Sequence, residues 1–281
     1  MSGPIGLHGG GEYLAGDEPF LDALLDAAAH AASSRAPSSG SSTTAGIGSA
    51  ARDRRVELDL DVSAHVLETA VAPIRIVILP TAAGRGHPDR AAATGRTAFE
   101  RRASVRTRRV IVEVARVVDA ASAGDPAEVD RLAGADLIHL PGGDPDLVPA
   151  TLAGSPALGA IETAWRRGAV IAGASAGAMA LAEWTWTSGG GIRGLGLVSG
   201  VAVVPHYDEV RRTAWMRTLD DLAPGGIGYL GLDERTGILS TPNGREGRGW
   251  RVAGTGAAYW FARGASRPEI GRDGDVLHLP I

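Results

Sequence analysis

The segment from Ala169 to Met179, AVIAGASAGAM, holds the residues best arranged for chemistry: an apolar run enters G-x-S-x-G at Gly173, Ser175 and Gly177 and leaves in an Ala-rich stretch. Strand, tight turn and helix in that order make a nucleophile elbow, where small residues let the chain turn sharply and expose the serine hydroxyl. The helix N-terminus behind it favours developing negative charge, and the Ala176 amide is placed to donate to an oxyanion. A second donor must come from a neighbouring strand end. Leu140-Pro141-Gly142-Gly143-Asp144 offers Gly143, which permits close backbone approach, although the same residues also suit a plain βα turn with Asp144 capping the next helix.

Such a serine needs a base. Of the seven histidines, His206 is best placed, since it ends the apolar run Val201 to Pro205 and follows the serine in chain order. His8, beside Gly9-Gly10-Gly11, is the second choice, and His139 lies within a buried-looking strand as a satisfied core residue. No H-x-H or H-x-x-x-H pair occurs, which disfavours a zinc hydrolase, and no metal site is expected. Asp208, two residues past His206, can reach the imidazole from a loop as the orienting acid. Glu183 lies eight residues past Ser175, about 12 Å down a continuous helix. A Ser–His pair without a third member stays open.

The elements that must position these residues alternate regularly. Apolar runs at Pro4 to Leu7, Ile74 to Leu79, Val110 to Val114, Asp136 to Leu140 and Ala169 to Ala172 read as strands. Helical spacing runs from Glu18 to Ala32 with Asp17 as N-cap, then from about Pro88 to Ala103, Asp125 to Ala133 and Pro149 to Arg167. Strand, loop and helix repeated in this way predict an α/β fold with a doubly wound, mostly parallel sheet covered by helices on both faces. Ligands in such sheets bind beyond the carboxyl ends of the strands, where Gly9, Thr81, Gly142 and Ser175 fall. Residues 33 to 50, nearly all Ser, Gly, Thr and Ala, read as a flexible surface insertion in a single domain spanning residues 1–281. Val56 to Val62 alternates apolar and acidic residues, as a half-exposed strand does.

Composition excludes several chemistries. The chain has no cysteine, so it carries no thiol nucleophile, thiolate metal site or disulfide scaffold. Its 28 basic residues are all arginine, which removes Schiff-base and phosphate-loop lysines. The net charge of −4 gives no polyanion-binding field, and the Arg101 to Arg109 cluster reads as a solvated helix end rather than a nucleic-acid site. The longest uncharged stretches in the apolar second half span fifteen residues, short of a membrane crossing, and no export signal opens the chain. A cytoplasmic protein without membrane or nucleic-acid partner is expected.

Taken in order, Gly9-Gly10-Gly11, the Ile76 to Ala82 strand, Leu140 to Asp144, Gly173 to Ala178, Pro205-His206-Tyr207 and Gly231-Leu232-Asp233-Glu234-Arg235-Thr236 resemble the motifs of the cyanophycinase and dipeptidase E family of serine peptidases. The resemblance implies a class I glutamine amidotransferase-like, flavodoxin-like fold, with Ser175 as nucleophile, His206 as base and the Gly143 and Ala176 amides as oxyanion donors. It implies no cofactor, a small peptide or isopeptide substrate and a homodimer. It also puts Asp144 where relatives contact substrate. Because those relatives cleave after aspartate, Arg212 is the candidate for a substrate carboxylate. Thr187 to Ile192 lacks the acid that relatives carry some fifteen residues past the serine, and Pro145 interrupts the signature after Gly142-Gly143. The expected function is a serine peptidase-like hydrolase, with an aspartyl linkage favoured. Its alternative is a catalytically inactive ligand-binding protein on the same fold.

Overall fold

The computed structural model describes residues 2–35, 72–187, 190–207, 221, 223–241 and 249–279. Two sheets are found among them. The first is built on five parallel strands, β1 (Ile5–His8), β2 (Ile74–Ile78), β3 (Val110–Val114), β4 (Leu137–Leu140) and β5 (Val170–Ala174), in the spatial order β3-β2-β4-β5-β1. Beyond β1 it continues antiparallel through β10 (Thr236–Ser240), β11 (Gly249–Gly254) and β14 (Val276–His278).

Helices cover both faces, as the alternation along β2 requires. Ile76 and Ile78 pack with Phe20, Leu24 and Phe99 of α1 (Glu18–Arg35) and α2 (Pro88–Val105). Val77 and Leu79 point the other way, into a core with Leu132 of α3 (Pro126–Ala133) and Ile161 of α5 (Pro156–Arg166). Each of these side chains is almost fully buried, and burying one contributes roughly 1.5–3 kcal/mol. The mixed α/β class expected from the sequence is the class observed.

The second sheet has no counterpart in the sequence reading. It runs β13 (Glu269–Arg272), β12 (Ala257–Phe261), β9 (Gly228–Leu232), β8 (Val198–Val204), β6 (Ala182–Thr187) and β7 (Gly190–Arg193). Helix α6 (Ala176–Leu181) is only six residues long because the chain enters β6 directly. Glu183 therefore stands on a strand, and its carboxylate accepts from Gly200 N at 2.6 Å. Trp184 is buried in a small apolar core, and Trp186, two residues on along β6, packs partly buried against that core and also lines the cleft described below.

Other boundaries differ for local reasons. The single helix expected over 149–167 is two, α4 (Leu147–Leu152) and α5, divided at Gly154 (φ 70°) and at Ser155, which precedes a proline and is held extended. Ser155 caps α5 by accepting from Leu158 N. Helix α1 runs past Ala32 to Arg35, and within this extension the Ser33 and Ser34 hydroxyls donate to carbonyls four residues back. The rest of the Ser/Gly-rich insertion and the strand expected over 56–62 lie outside the described residues. Arg102, Arg106 and Arg108 pair with Asp22 and Asp26 of α1, so that cluster joins two helices. No helix among the described residues is long and apolar enough to cross a membrane.

Candidate active site

In the spatial order of the sheet, the connection from β2 to β3 and the strands that follow β4 run to opposite sides, so the loops after β2 and β4 diverge and open a crevice. A cleft of about 940 Å³ occupies it, with Ser175, His206, Gly143, Ala82, Arg90 and Trp186 among its lining residues.

Ser175 sits at the turn between β5 and α6 with φ 49° and ψ −114°, a conformation that a non-glycine residue holds only under constraint. The constraint comes from both sides. Ser175 N donates to His8 O at 2.9 Å, and Met179 N donates to Ser175 O at 2.9 Å. Gly173 and Gly177 are required by space, since a Cβ on Gly173 would lie 2.5 Å from Gly177 C and one on Gly177 would lie 2.2 Å from Leu140 O.

The Ser175 hydroxyl donates to His206 Nε2 at 3.0 Å. His206 Nδ1–H donates in turn to Glu234 Oε1 at 2.8 Å. Serine, imidazole and carboxylate thus form one line of hydrogen bonds, drawn from β5, the end of β8 and the turn between β9 and β10. His206 (φ 50°) and Arg235 (φ 55°), next to Glu234, share with Ser175 a positive φ that non-glycine residues rarely adopt.

Three successive carbonyls tie these positions together. His8 O accepts from Ser175 N at 2.9 Å, Gly9 O from His206 N at 2.8 Å and Gly10 O from Arg235 N at 2.7 Å. The loop that does this can only be glycine. A Cβ on Gly9 would lie 2.2 Å from Asp233 O, and one on Gly10, itself at φ 106°, would lie 2.3 Å from His206 Cε1.

Across from the histidine, Gly143 (φ 155°) runs so close to the β2 loop that a Cβ would meet Ala82 O at 2.2 Å. The N–H groups of Gly143 and Ala176 both lack an acceptor among the described residues, as donors awaiting an oxyanion would. Asp144, expected at the substrate, is engaged with the protein: Oδ2 pairs with Arg85 at 2.7 Å and Oδ1 accepts from Asp146 N at 3.1 Å. It still lines the cleft, but as half of an ion pair. Arg90 lines the same wall and has no carboxylate partner among the described residues.

Asp208 and Arg212 lie outside the described residues. The acid found against His206 is Glu234, which the sequence reading noted within a family-like turn without giving it a role. Nothing local marks it, because 28 residues separate it from the histidine. His8, the second choice for base, is buried behind the site, where Nδ1 accepts from Gly10 N at 3.2 Å and Nε2 lies 2.8 Å from Asp17 Oδ1. His139 is a core histidine as expected; burial pushes its pKa down to about 3 and Nδ1 meets the Tyr13 hydroxyl at 2.9 Å. Asp17 turns its carboxylate to His8 and to Tyr13 N rather than serving only as a helix cap. Among the described residues no group of three His, Asp or Glu side chains is gathered that would hold a metal ion.

Comparison with known proteins gives three results. The family model of peptidase family S51 matches residues 59–243. A crystal structure of a peptidase from an acI-B1 actinobacterium superposes with a TM-score of 0.70 at 22% identity, over 99% of this chain and 98% of that one. A protein from Listeria monocytogenes EGD-e, provisionally assigned as a peptidase E, has a TM-score of 0.47 at 16% identity over 75% and 92% of the two chains. No curated protein matches the chain. The first structure shares the fold over its full length.

Proposed function

The chain belongs to peptidase family S51, and we propose that it is a serine hydrolase that cleaves a small peptide or isopeptide bond through Ser175, His206 and Glu234. The observation that carries this reading is the unbroken line of hydrogen bonds from Ser175 Oγ through His206 to Glu234, at 3.0 and 2.8 Å. It opens on a cleft lined by Gly143 and Ala176, whose N–H groups have no acceptor among the described residues.

The reaction follows from that geometry. Ser175 Oγ attacks the scissile carbonyl carbon as His206 Nε2 takes its proton, and Glu234 holds the Nδ1–H that fixes the tautomer. The carbonyl oxygen becomes an oxyanion between the Gly143 and Ala176 N–H groups. His206 then protonates the leaving amine as the C–N bond breaks. Water, deprotonated by the same imidazole, releases the acid from the serine.

Within this class we favour a substrate carrying a carboxylate near the scissile bond. Arginine is the chain's only fully ionised cation, and Arg90 lines the cleft without a carboxylate partner among the described residues. Arg212 remains a second candidate for that contact. The rival reading, a ligand-binding protein without turnover, drew on the missing carboxylate after the serine. Glu234 supplies one from elsewhere in the chain.

The test is hydrolysis of α-aspartyl, β-aspartyl and neutral dipeptides, read by mass spectrometry, with wild type, Ser175→Ala and Arg90→Ala. Cleavage lost in Ser175→Ala, and a preference for acidic substrates lost in Arg90→Ala, are the expected results. Undiminished hydrolysis by Ser175→Ala overturns the assignment.

A further inference from the structure

The peptide whose N–H would meet an oxyanion lies between two others that are held in place. On one side Asp144 N donates to Ala82 O at 2.7 Å, which fixes the Gly143–Asp144 peptide. On the other, Gly142 N donates to Glu12 Oε1 at 2.8 Å, which fixes the Pro141–Gly142 peptide. Between them the Gly142–Gly143 peptide carries the free Gly143 N–H. Two adjacent glycines have little intrinsic preference for one peptide orientation, so their conformation depends on these flanking bonds.

Glu12 is well placed for this work. It lines the cleft, and a Cβ on Gly142 would lie 3.0 Å from Glu12 Oε1 and 3.3 Å from Ser175 Cβ, so the carboxylate is bonded to the residue that packs directly on the serine. Its neighbour Tyr13 anchors the same loop. Tyr13 N donates to Asp17 Oδ2 at 2.8 Å, and the Tyr13 hydroxyl meets His139 Nδ1 at 2.9 Å, three residues before Gly142 on β4. Residues 12 and 13 therefore clasp the end of β4 at two points, one in the core and one at the chemistry.

We propose that Glu12 is a positioning residue for acyl transfer: its carboxylate holds the Pro141–Gly142 peptide so that the Gly143 N–H is aimed at the oxyanion on the Ser175 adduct. This rests on the reading of Ser175 as nucleophile, and the test keeps the two apart.

A neutral alkyl fluorophosphonate serves as probe, because it needs no knowledge of the natural substrate. Ser175 Oγ forms a bond to phosphorus as the P–F bond breaks, fluoride leaves, the hydroxyl proton goes to His206, and the phosphoryl oxygen takes the oxyanion position. Labelling of wild type and none of Ser175→Ala establishes the nucleophile. Wild type left unlabelled, with Ser175→Ala hydrolysing peptides as well as wild type, removes that reading and this proposal with it.

Given labelling, Glu12→Ala should lower the maximal rate of inactivation about 10- to 100-fold, below the 10²–10³ seen when an oxyanion donor is deleted, with the probe's binding constant within about threefold. Glu12→Gln keeps an acceptor oxygen within reach of Gly142 N and should stay within about fivefold of wild type. Glu12→Asp keeps the charge but falls one methylene short, and should drop toward the alanine value even if Glu12→Ala does not fold. Wild-type rates in both Glu12→Ala and Glu12→Asp overturn the proposal. So does an equal fall in Glu12→Gln, and so does a weakened binding constant at unchanged maximal rate, which would make Glu12 a ligand contact.

Discussion

Replacing Glu234 by glutamine keeps the side chain's size and removes its charge, so the variant measures what the carboxylate contributes to an imidazolium at His206. The bond between them is short, at 2.8 Å, but the pair is open to water, with side-chain exposures of 50% for Glu234 and 27% for His206. Two unit charges ~4 Å apart attract by about 1 kcal/mol in water and about 4 kcal/mol near a protein surface. A half-exposed pair falls between, at about 2 kcal/mol, and each 1.36 kcal/mol on a barrier is about tenfold in rate. Glu234→Gln should therefore lower kcat about 30-fold, far less than the roughly 10⁴-fold that follows neutralising a buried triad acid. KM should hold, because the carboxylate lies behind the imidazole rather than at the substrate. Steady-state hydrolysis of the best dipeptide decides it. A loss below threefold would remove Glu234 from the reaction and return the acid's place to Asp208; a loss near 10⁴-fold would refute the reasoning from exposure.

Three further outcomes are expected. Ser175→Gly should melt about 2–4 °C above Ser175→Ala in a thermal scan, because glycine relieves a backbone strain of about 1–3 kcal/mol that outweighs its unfolded-state entropy of about 0.4–1 kcal/mol; equal melting points would show the turn to be unstrained. Gly10→Ala drives a Cβ into the His206 ring, where only 2.3 Å separates them, and should cost about 10²-fold or more in rate, whereas Gly11→Ala meets nothing nearer than 3.4 Å and should cost far less. His139, with a folded pKa of about 3 against an ordinary value near 6.5, takes up its proton in the unfolded chain first. Its contribution to stability is whole above about pH 6.5 and is lost as pH falls toward 3, on the order of 2 kcal/mol by pH 5. Denaturant titrations of wild type and His139→Asn across that range should diverge accordingly, and parallel curves would count against a neutral buried imidazole.

The parts of this site that the sequence displays are those whose geometry is local. Ser175 is legible because strand, G-x-S-x-G and helix are contiguous, and His206 because it ends an apolar run. Glu234 is illegible on physical grounds, since a turn acid 28 residues from its histidine carries no periodicity and no spacing rule. Asp144 shows the converse: its neighbours suggested a helix cap and the family resemblance a substrate contact, while its main partner, Arg85, comes from another strand's loop. The parallel sheet was readable from buried apolar runs separated by helices. The second sheet was not, because its strands follow one another without the helical spacers that mark each unit of the first. A helix continued past Leu181 puts Glu183 on the wrong element, whereas the Gly154-Ser155-Pro156 break in the fourth expected helix is marked locally by a glycine and a residue before proline.

A single three-residue stretch explains why a site drawn from positions 175, 206 and 234 can be assembled at all. Ser175, His206 and Arg235 each hold a positive φ that costs on the order of 1–3 kcal/mol, and each donates its N–H to one of the successive carbonyls of His8, Gly9 and Gly10. The strained positions therefore share one support, and that support presents main chain alone, because side chains at Gly9 and Gly10 would occupy the space of the turn at Asp233 and of the His206 ring. Glu12, two residues past Gly10, ties the Gly142–Gly143 loop to the same segment through Gly142 N. Ser175, His206, the Glu234 turn and the Gly142–Gly143 loop are then all tied to one short segment. That predicts that Gly10→Ala, whose Cβ meets the His206 side chain, lowers the rate of hydrolysis with a smaller fall in Tm than Gly9→Ala, whose Cβ meets the main chain at Asp233.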